Sequence, residues 1–218
     1  NKPLKDVDGF ADDKIIELNQ LLATLRSEER GNLNDEKARL IHDLNTKADA
    51  AIAEINQYVN LSPSEKQQYI IDEIEKARNE GIVRINNATS SQDAQDRYQE
   101  AVDLIDETRL KAKREDAYGE LEKETLYLIG EGKITEEVAK IIVEAFDEIG
   151  KETDYDTIDD IVENTKRRLE QQIQEELFLA KEQVRETLTD YARIPITPDM
   201  QAIIDAQVDK VTRDNYND

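Results

Sequence analysis

The 218-residue sequence contains no cysteine and no tryptophan, and it has only seven glycines, four prolines and three phenylalanines. The absence of cysteine excludes disulfides, thiolate catalysis, and zinc or iron–sulfur sites built on cysteine. It suits a cytosolic protein and equally a surface protein of bacteria that avoid disulfides, so it does not assign a compartment. The shortage of aromatic residues leaves little material for a β-sheet or for an aromatic-lined pocket.

Basic residues are also scarce, with 29 lysines and arginines against 51 acidic residues and a net charge of −22. This balance argues against DNA, RNA or an anionic membrane as partner, because such binding depends on cations that neutralise phosphates. No apolar run approaches the ~18 residues of a membrane-spanning helix, so we expect no membrane insertion in this segment. The first residue is Asn1, so we expect a fragment or a processed product, and the lack of a targeting signal carries no weight.

The apolar residues that remain recur at helical spacing, which predicts an all-α protein. Disorder is the alternative for so charged a chain, but the regular spacing of Ile, Leu, Val and Ala favours a folded one. We expect a linker over residues 1–9 and then a helix over residues 10–29. Gly31 followed by Asn34 or Asp35 predicts a stop and a new cap. The predicted helices cover residues 10–29, 35–59, 63–85, 93–129, 135–149 and 157–191, with a last helix opening at Thr197, and the first helix carries Ile15, Leu18, Leu22 and Leu25 on one face.

Three capped helix starts recur along the chain, at Ser62, Thr135 and Thr197. Each has an apolar residue before the hydroxyl cap and an acid in the first turn, as in a hydrophobic staple with a favourable helix dipole. Their spacings of 73 and 62 residues predict tandem three-helix bundles that share long connecting helices and form an elongated rod.

The capped starts divide the chain into four segments. Residues 1–33 are interpreted as a linker and a helix of a partial or preceding repeat, and residues 34–115 as a three-helix repeat. Residues 116–191 are a second, diverged repeat, and residues 192–218 are the start of a truncated third one.

Chemical motifs are few. His42 is the only histidine and has neither the Glu-x-x-His nor the His-x-x-x-His spacing of helical metal sites. The acidic clusters Asp6–Asp8 and Asp154–Asp160 lack the order of an EF-hand loop, so solvated helix caps are favoured over a weak cation site. We therefore expect no catalytic, cofactor-binding or metal-binding residues and no enzyme. Tyr118 and Tyr127 are the candidates for a protein-binding face, although core packing explains most tyrosines in such bundles.

Short motifs surround the first capped turn, between residues 48 and 105. They are Lys47-Ala48-x-Ala50-Ala51-Ile52-x-x-Ile55, Asn60-Leu61-Ser62-x-x-Glu65-Lys66, Ile74-x-x-Ala77, Gly81-Ile82-x-x-Ile85, and Asn87-Ala88-Thr89 with Ala94. This pattern resembles the tandem three-helix repeat of unknown function found in large cell-wall-anchored surface proteins of Gram-positive bacteria, of the matrix-binding and adhesin type. The resemblance implies an extracellular, wall-anchored stalk or spacer, and it carries over no catalytic residue.

Three functions are consistent with the sequence. The first is a structural stalk of a bacterial cell-surface adhesin that projects a binding domain from the cell wall. The second is a helical binding module that itself grips a host extracellular matrix or serum protein. The third is an intracellular helical scaffold. For the first two we expect no cofactor, no nucleic acid, and a monomer within a longer chain.

Overall fold

The computed structural model describes residues 5–192 and 195–212, with side chains from Lys14 onward except that of Ala192. The described residues are all-α and contain no strand, as the sequence predicts. The elements are α1 (Lys5–Gln57), α2 (Pro63–Gln67), a π-helical segment (Gln68–Glu75), α3 (Lys76–Asn86), α4 (Ser91–Gly130), α5 (Glu136–Lys151), α6 (Thr157–Ala192) and α7 (Pro198–Val208).

The predicted helix starts after residue 60 are confirmed. The Thr135 hydroxyl accepts a hydrogen bond from the Val138 N–H at 3.3 Å, and the Thr197 hydroxyl accepts one from the Met200 N–H at the same distance. Each bond satisfies a backbone donor that has no partner inside the helix. α2 begins at Pro63, directly after Ser62, where the missing N–H of proline costs nothing.

The long third helix and its stop are also confirmed. α4 runs without a break for 40 residues, and Gly132 follows it with a φ of 67°. The Lys133 N–H donates to the Leu128 carbonyl at 2.8 Å and the Gly132 N–H donates to the Ile129 carbonyl at 3.0 Å. This pair of bonds is a Schellman motif, which requires the left-handed conformation that glycine adopts without strain.

The predicted linker and the predicted break near Gly31 are wrong. α1 is one helix of 53 residues that starts at Lys5, while residues 1–4 lie outside the described range. Gly31 lies within the helix, and a Cβ added there would meet no atom within 4 Å. One helical glycine costs about 1 kcal/mol relative to alanine, whereas a break would leave several backbone groups without helical partners at each new end. Asn34 and Asp35 are therefore exposed helical residues and not caps.

The π-helical segment between α2 and α3 was not predicted. It continues the helix without a turn, and Ile74 within it is completely buried. In a π-helix the hydrogen bonds span one residue more than in an α-helix, so the backbone changes register locally. Neither glycine nor proline occurs in the segment to announce this change.

Contact clustering divides the chain into two compact units. The first unit comprises the described residues up to Gln57 together with Glu65–Arg109. Its core is formed by α1, the π-helical segment, α3 and residues 91–109 of α4. The buried apolar side chains are Leu40, Leu44, Ala48, Ala51, Ile55, Ile74, Ala77, Ile85, Ala88, Ala94, Ala101, Val102 and Ile105.

The second unit comprises Tyr58–Ser64 and the described residues from Leu110 onward. Two clusters fill its core. One cluster contains Ala117, Leu121, Ala145, Ile149, Ile158 and Val162, and the other contains Leu128, Val138, Ile142, Leu169 and Ile173. α7 packs on the C-terminal part of α6. Beside that contact lies an open apolar groove of about 240 Å³ that includes Leu188, Met200 and Ile203.

Candidate functional site

The structure does not bring Tyr118 and Tyr127 together on one face. Tyr118 is half-buried and stacks on Phe146, with ring centroids 5.4 Å apart, and its hydroxyl lies 3.5 Å from the Phe146 carbonyl. Tyr127 is 57% exposed. The two residues are nine positions apart on α4, so the 3.6-residue period places them on opposite sides of the helix. Tyr118 belongs to the core of the second unit, and Tyr127 alone is available at its surface.

Tyr127 belongs to a small apolar surface patch at the end of α4. Leu126 and Ile129 beside it are 60% and 57% exposed. Lys133 is almost completely buried, its Nζ lies 5.9 Å from the centre of the Tyr127 ring, and it forms an ion pair with Glu131 at 3.1 Å. A cation over an aromatic face favours a fixed ring position. The patch therefore presents a held aromatic ring between two flexible aliphatic side chains.

Four polar and aromatic residues converge inside the second unit around Lys113. The Lys113 Nζ lies 2.6 Å from a carboxylate oxygen of Asp159, and 5.7 and 5.3 Å from the ring centres of Tyr58 and Tyr155. The two tyrosine hydroxyls are hydrogen-bonded to each other. Lys113 is buried, so its charge depends on the carboxylate and the two rings for compensation. The cluster joins α4, the segment after α1 and the start of α6.

Sequence reasoning missed this cluster, although the sequence carries a signal for it. Lys113 stands 73 residues after Leu40, which is the spacing between the first two caps, and Leu40 is buried in the first unit. A lysine at an apolar position of a repeat needs an acid and an electron-rich ring nearby. Tyr155 and Asp159, four residues apart at the next helix start, supply them.

The chain segment after α1 docks on α4 within the second unit. The Asn60 N–H donates to Asp116 at 2.8 Å, and the Asn60 side-chain oxygen accepts from the Lys123 Nζ at 2.7 Å. Gly119 lies beneath Asn60, and a Cβ there would come within 2.8 Å of the Asn60 Cβ. Glycine at this point therefore lets the segment approach the helix backbone closely.

Electrostatic perturbations in the described residues are modest and have structural causes. A hydrogen bond to Glu120 raises the pKa of Lys166, and a further bond to Glu163 acts in the same direction. Burial raises the pKa of Tyr98, and the negative charge of Asp43 adds to this effect. A hydrogen bond from Arg39 lowers the pKa of Glu36 on the exposed surface of α1.

The predicted helix caps in the acidic turn before α6 are present. One carboxylate oxygen of Glu152 accepts from the N–H groups of Thr153 and Asp154, and the Asp154 carboxylate accepts from the Asp156 N–H at 3.0 Å. These bonds give the carboxylates a structural role in the turn. Within the described residues, no three acidic or histidine side chains are grouped as a metal site requires. His42 is exposed on α1, and the side chains of Asp6 and Asp8 lie outside the described set.

The fold and these surfaces define an all-α protein built of helical units with open grooves. A family model described as Domain of Unknown Function (DUF1542) matches residues 34–113. The matched stretch includes the motifs between residues 48 and 105 on which the resemblance rests. A search of curated proteins found no match to this chain, and a search of solved structures found none either. No helix in the described part of the chain combines the length and the apolar character that a bilayer-crossing segment requires.

Proposed function

We propose that this chain is a structural, non-catalytic stalk segment of a bacterial surface protein, which holds a binding domain away from the cell wall. The observation that carries the proposal is a repeat in buried positions. Four buried residues of α1 recur 73 residues later as buried residues of α4, at the spacing of the first two caps. The pairs are Leu40 and Lys113, Leu44 and Ala117, Ala48 and Leu121, and Ile55 and Leu128.

Such a periodic burial pattern is what a tandem array of helical repeats requires, since each repeat buries its apolar face against its neighbours. α4 contributes residues 91–109 to the first unit and residues 110–130 to the second, within one uninterrupted helix. A helix of this kind supports the proposal because a spacer must transmit position along the chain. Catalysis, in contrast, needs convergent reactive groups in a cleft.

The family match supports a location at the cell surface. DUF1542 is associated with large surface proteins of Gram-positive bacteria, and its own function is unknown. The net charge of −22 fits a stalk among many parallel copies, because like charges keep neighbouring chains apart. We place the protein outside the cell on these two grounds.

Small-angle X-ray scattering tests the stalk. A compact chain of this length would have a radius of gyration of roughly 17 Å, and a stalk should give a value well above it. The measurement is extrapolated to zero concentration, and circular dichroism on the same sample confirms the helical content. A radius near the compact value with full helicity would contradict the proposal.

A second candidate, a module that grips a host matrix or serum protein, is favoured by the patch of Leu126, Tyr127 and Ile129. Exposed aromatic residues flanked by aliphatic ones are typical anchors of protein interfaces. We expect immobilised fibronectin or immunoglobulin to retain the chain, and Tyr127→Ala to abolish that retention. Tyr191→Ala, at a tyrosine that is 85% exposed on α6, is the matched control. Equal retention of both variants would exclude this patch as the binding face.

A further inference from the structure

The first half of α1 carries an apolar stripe that nothing covers in the described structure. All side chains from Lys14 to Asn32 are exposed. The stripe consists of Ile15, Leu18, Leu22 and Leu25, which are between 38% and 57% exposed. The sequence predicts these residues as an inward face, and the first unit does not bury them. Soluble proteins rarely expose a contiguous apolar patch without an interaction to cover it.

The spacing of the stripe is that of a coiled-coil seam. Its four members are separated by three, four and three residues, which makes them the a and d positions of two consecutive heptads. Ile15 is β-branched at an a position, and Leu18 and Leu25 occupy both d positions. Leu21 flanks the seam and is 56% exposed. A seam of this kind calls for another helix with the same spacing.

We propose that the stripe pairs with the same stripe of a second copy of this chain, in antiparallel orientation about a twofold axis near Gln20. In this arrangement Ile15 faces Leu25 of the second copy, and Leu18 faces Leu22 of the second copy. Leu21 meets its own counterpart at the axis. The patch is therefore self-complementary, as a twofold interface requires.

The charges beside the seam select the antiparallel orientation. Antiparallel helices place g positions opposite each other, so Lys14 of each copy lies beside Glu28 of the other. In a parallel pair, Lys14 would lie beside Asn19 and Glu28 beside Leu33, and neither contact pairs opposite charges. In the single chain Lys14 binds Glu17 at 2.5 Å in an exposed pair, which holds it only weakly.

The overall charge acts in the same direction. Residues 1–33 hold seven acidic and five basic side chains, so nearly all of the net charge of −22 lies in the following residues. A parallel pair would bring these two acidic parts to the same end of the seam, where they repel. An antiparallel pair sends them to opposite ends. Since the seam is only two heptads long, we expect a weak dimer with a Kd between roughly 1 μM and 1 mM.

Sedimentation equilibrium of the 218-residue chain, from about 10 μM to about 1 mM, tests the association. The wild-type chain should pass from monomer to dimer across this range. A double variant, Leu18→Glu with Leu22→Glu, should weaken the dimer at least about tenfold. Leu104→Glu is the matched control, because Leu104 is 49% exposed on α4, and it should dimerise like the wild type. Both positions are on exposed helical surfaces, and circular dichroism should show unchanged helicity.

Disulfide trapping tests the orientation, since the chain has no cysteine of its own. A mixture of an Ile15→Cys chain and a Leu25→Cys chain should form a disulfide-linked heterodimer. Ile15→Cys alone should form little covalent dimer, because a disulfide needs Cα atoms within about 7 Å. Charge reversal supplies a further check: Lys14→Glu should weaken the dimer, and adding Glu28→Lys should restore it.

Several outcomes would overturn the proposal. A monomer at the highest concentration would do so, as would a dimer that the double variant leaves intact or faster cross-linking of Ile15→Cys alone. If another part of the same chain covers the stripe, the double variant would remain monomeric and lose helix stability, which also excludes a second copy. This association does not depend on the stalk function, which scattering at zero concentration tests separately.

Discussion

Replacing Gly81 by alanine places a methyl group where α3 approaches its neighbours in the first unit most closely. The new Cβ would lie 2.6 Å from the Cβ of Ala101 on α4 and 2.9 Å from a methyl carbon of Leu44 on α1. The Leu44 methyl group can rotate away. The Ala101 Cβ is fixed to its backbone, so α3 must shift to accommodate the substitution.

Two opposing terms set the expected magnitude. Overpacking a core costs typically 1–3 kcal/mol, whereas alanine in place of a helical glycine gains about 1 kcal/mol. Contacts below 3 Å put the cost in the upper part of its range, so we expect a net loss of about 1–2 kcal/mol in the free energy of unfolding of the first unit. For a domain of about 100 residues each kcal/mol lowers the Tm by about 4–8 °C.

Amide hydrogen exchange read by mass spectrometry is the suitable assay, because two units need not unfold in a single transition. Peptides from α3 and the buried part of α1 should exchange faster in Gly81→Ala, while peptides from α5 serve as an internal control. Gly31→Ala is the matched variant: with open space around its Cβ, it should slow exchange near residue 31. Ala101→Gly should partly rescue Gly81→Ala by removing the opposing carbon. Stability of Gly81→Ala equal to or above wild type would refute the close approach.

Two further predictions concern a helix cap and a buried tyrosine. Thr135→Ala should destabilise the start of α5 by about 1 kcal/mol, seen as faster exchange of its first amides. Thr125→Ala should not, because the Thr125 hydroxyl bonds only its own helix carbonyl among the contacts described. Because the pKa of Tyr98 is raised in the folded chain above its ordinary 10.0, its stabilising contribution is present below about pH 10 and is lost as pH rises through the folded pKa. Urea unfolding at about pH 8 and about pH 11 should therefore show a smaller alkaline loss for Tyr98→Phe, and an equal loss would contradict this.

The elements that the sequence predicted well are those set by local backbone chemistry. The 40-residue helix α4 follows from a stretch that lacks proline, and its end follows from a glycine that adopts positive φ at Gly132. The starts at Thr135 and Thr197 follow from a hydroxyl that can accept a backbone N–H three residues on. These signals act within a few residues, so no knowledge of packing is needed to use them.

The errors occur where local signals compete or where packing decides. At Gly31 a stop signal and two cap residues are outweighed by the continuity of helix hydrogen bonds, which sequence inspection weighs poorly. The choice of Tyr118 and Tyr127 as one face failed for a simpler reason: residues nine apart lie on opposite sides of a helix. Which of the two is buried depends on Phe146, a residue on another helix.

The sequence by itself determined the all-α class, the helix starts after residue 60, the acidic surface and the absence of thiol chemistry, because each depends on residue type or on short-range spacing. Only the tertiary structure decided that Lys113 is buried between two tyrosine rings and Asp159, and that Gly81 is a point of close helix contact. The tertiary structure also showed that the stripe from Ile15 to Leu25 is left uncovered. An apolar stripe predicts that a face wants a partner, but whether this chain supplies that partner depends on contacts between residues far apart in sequence.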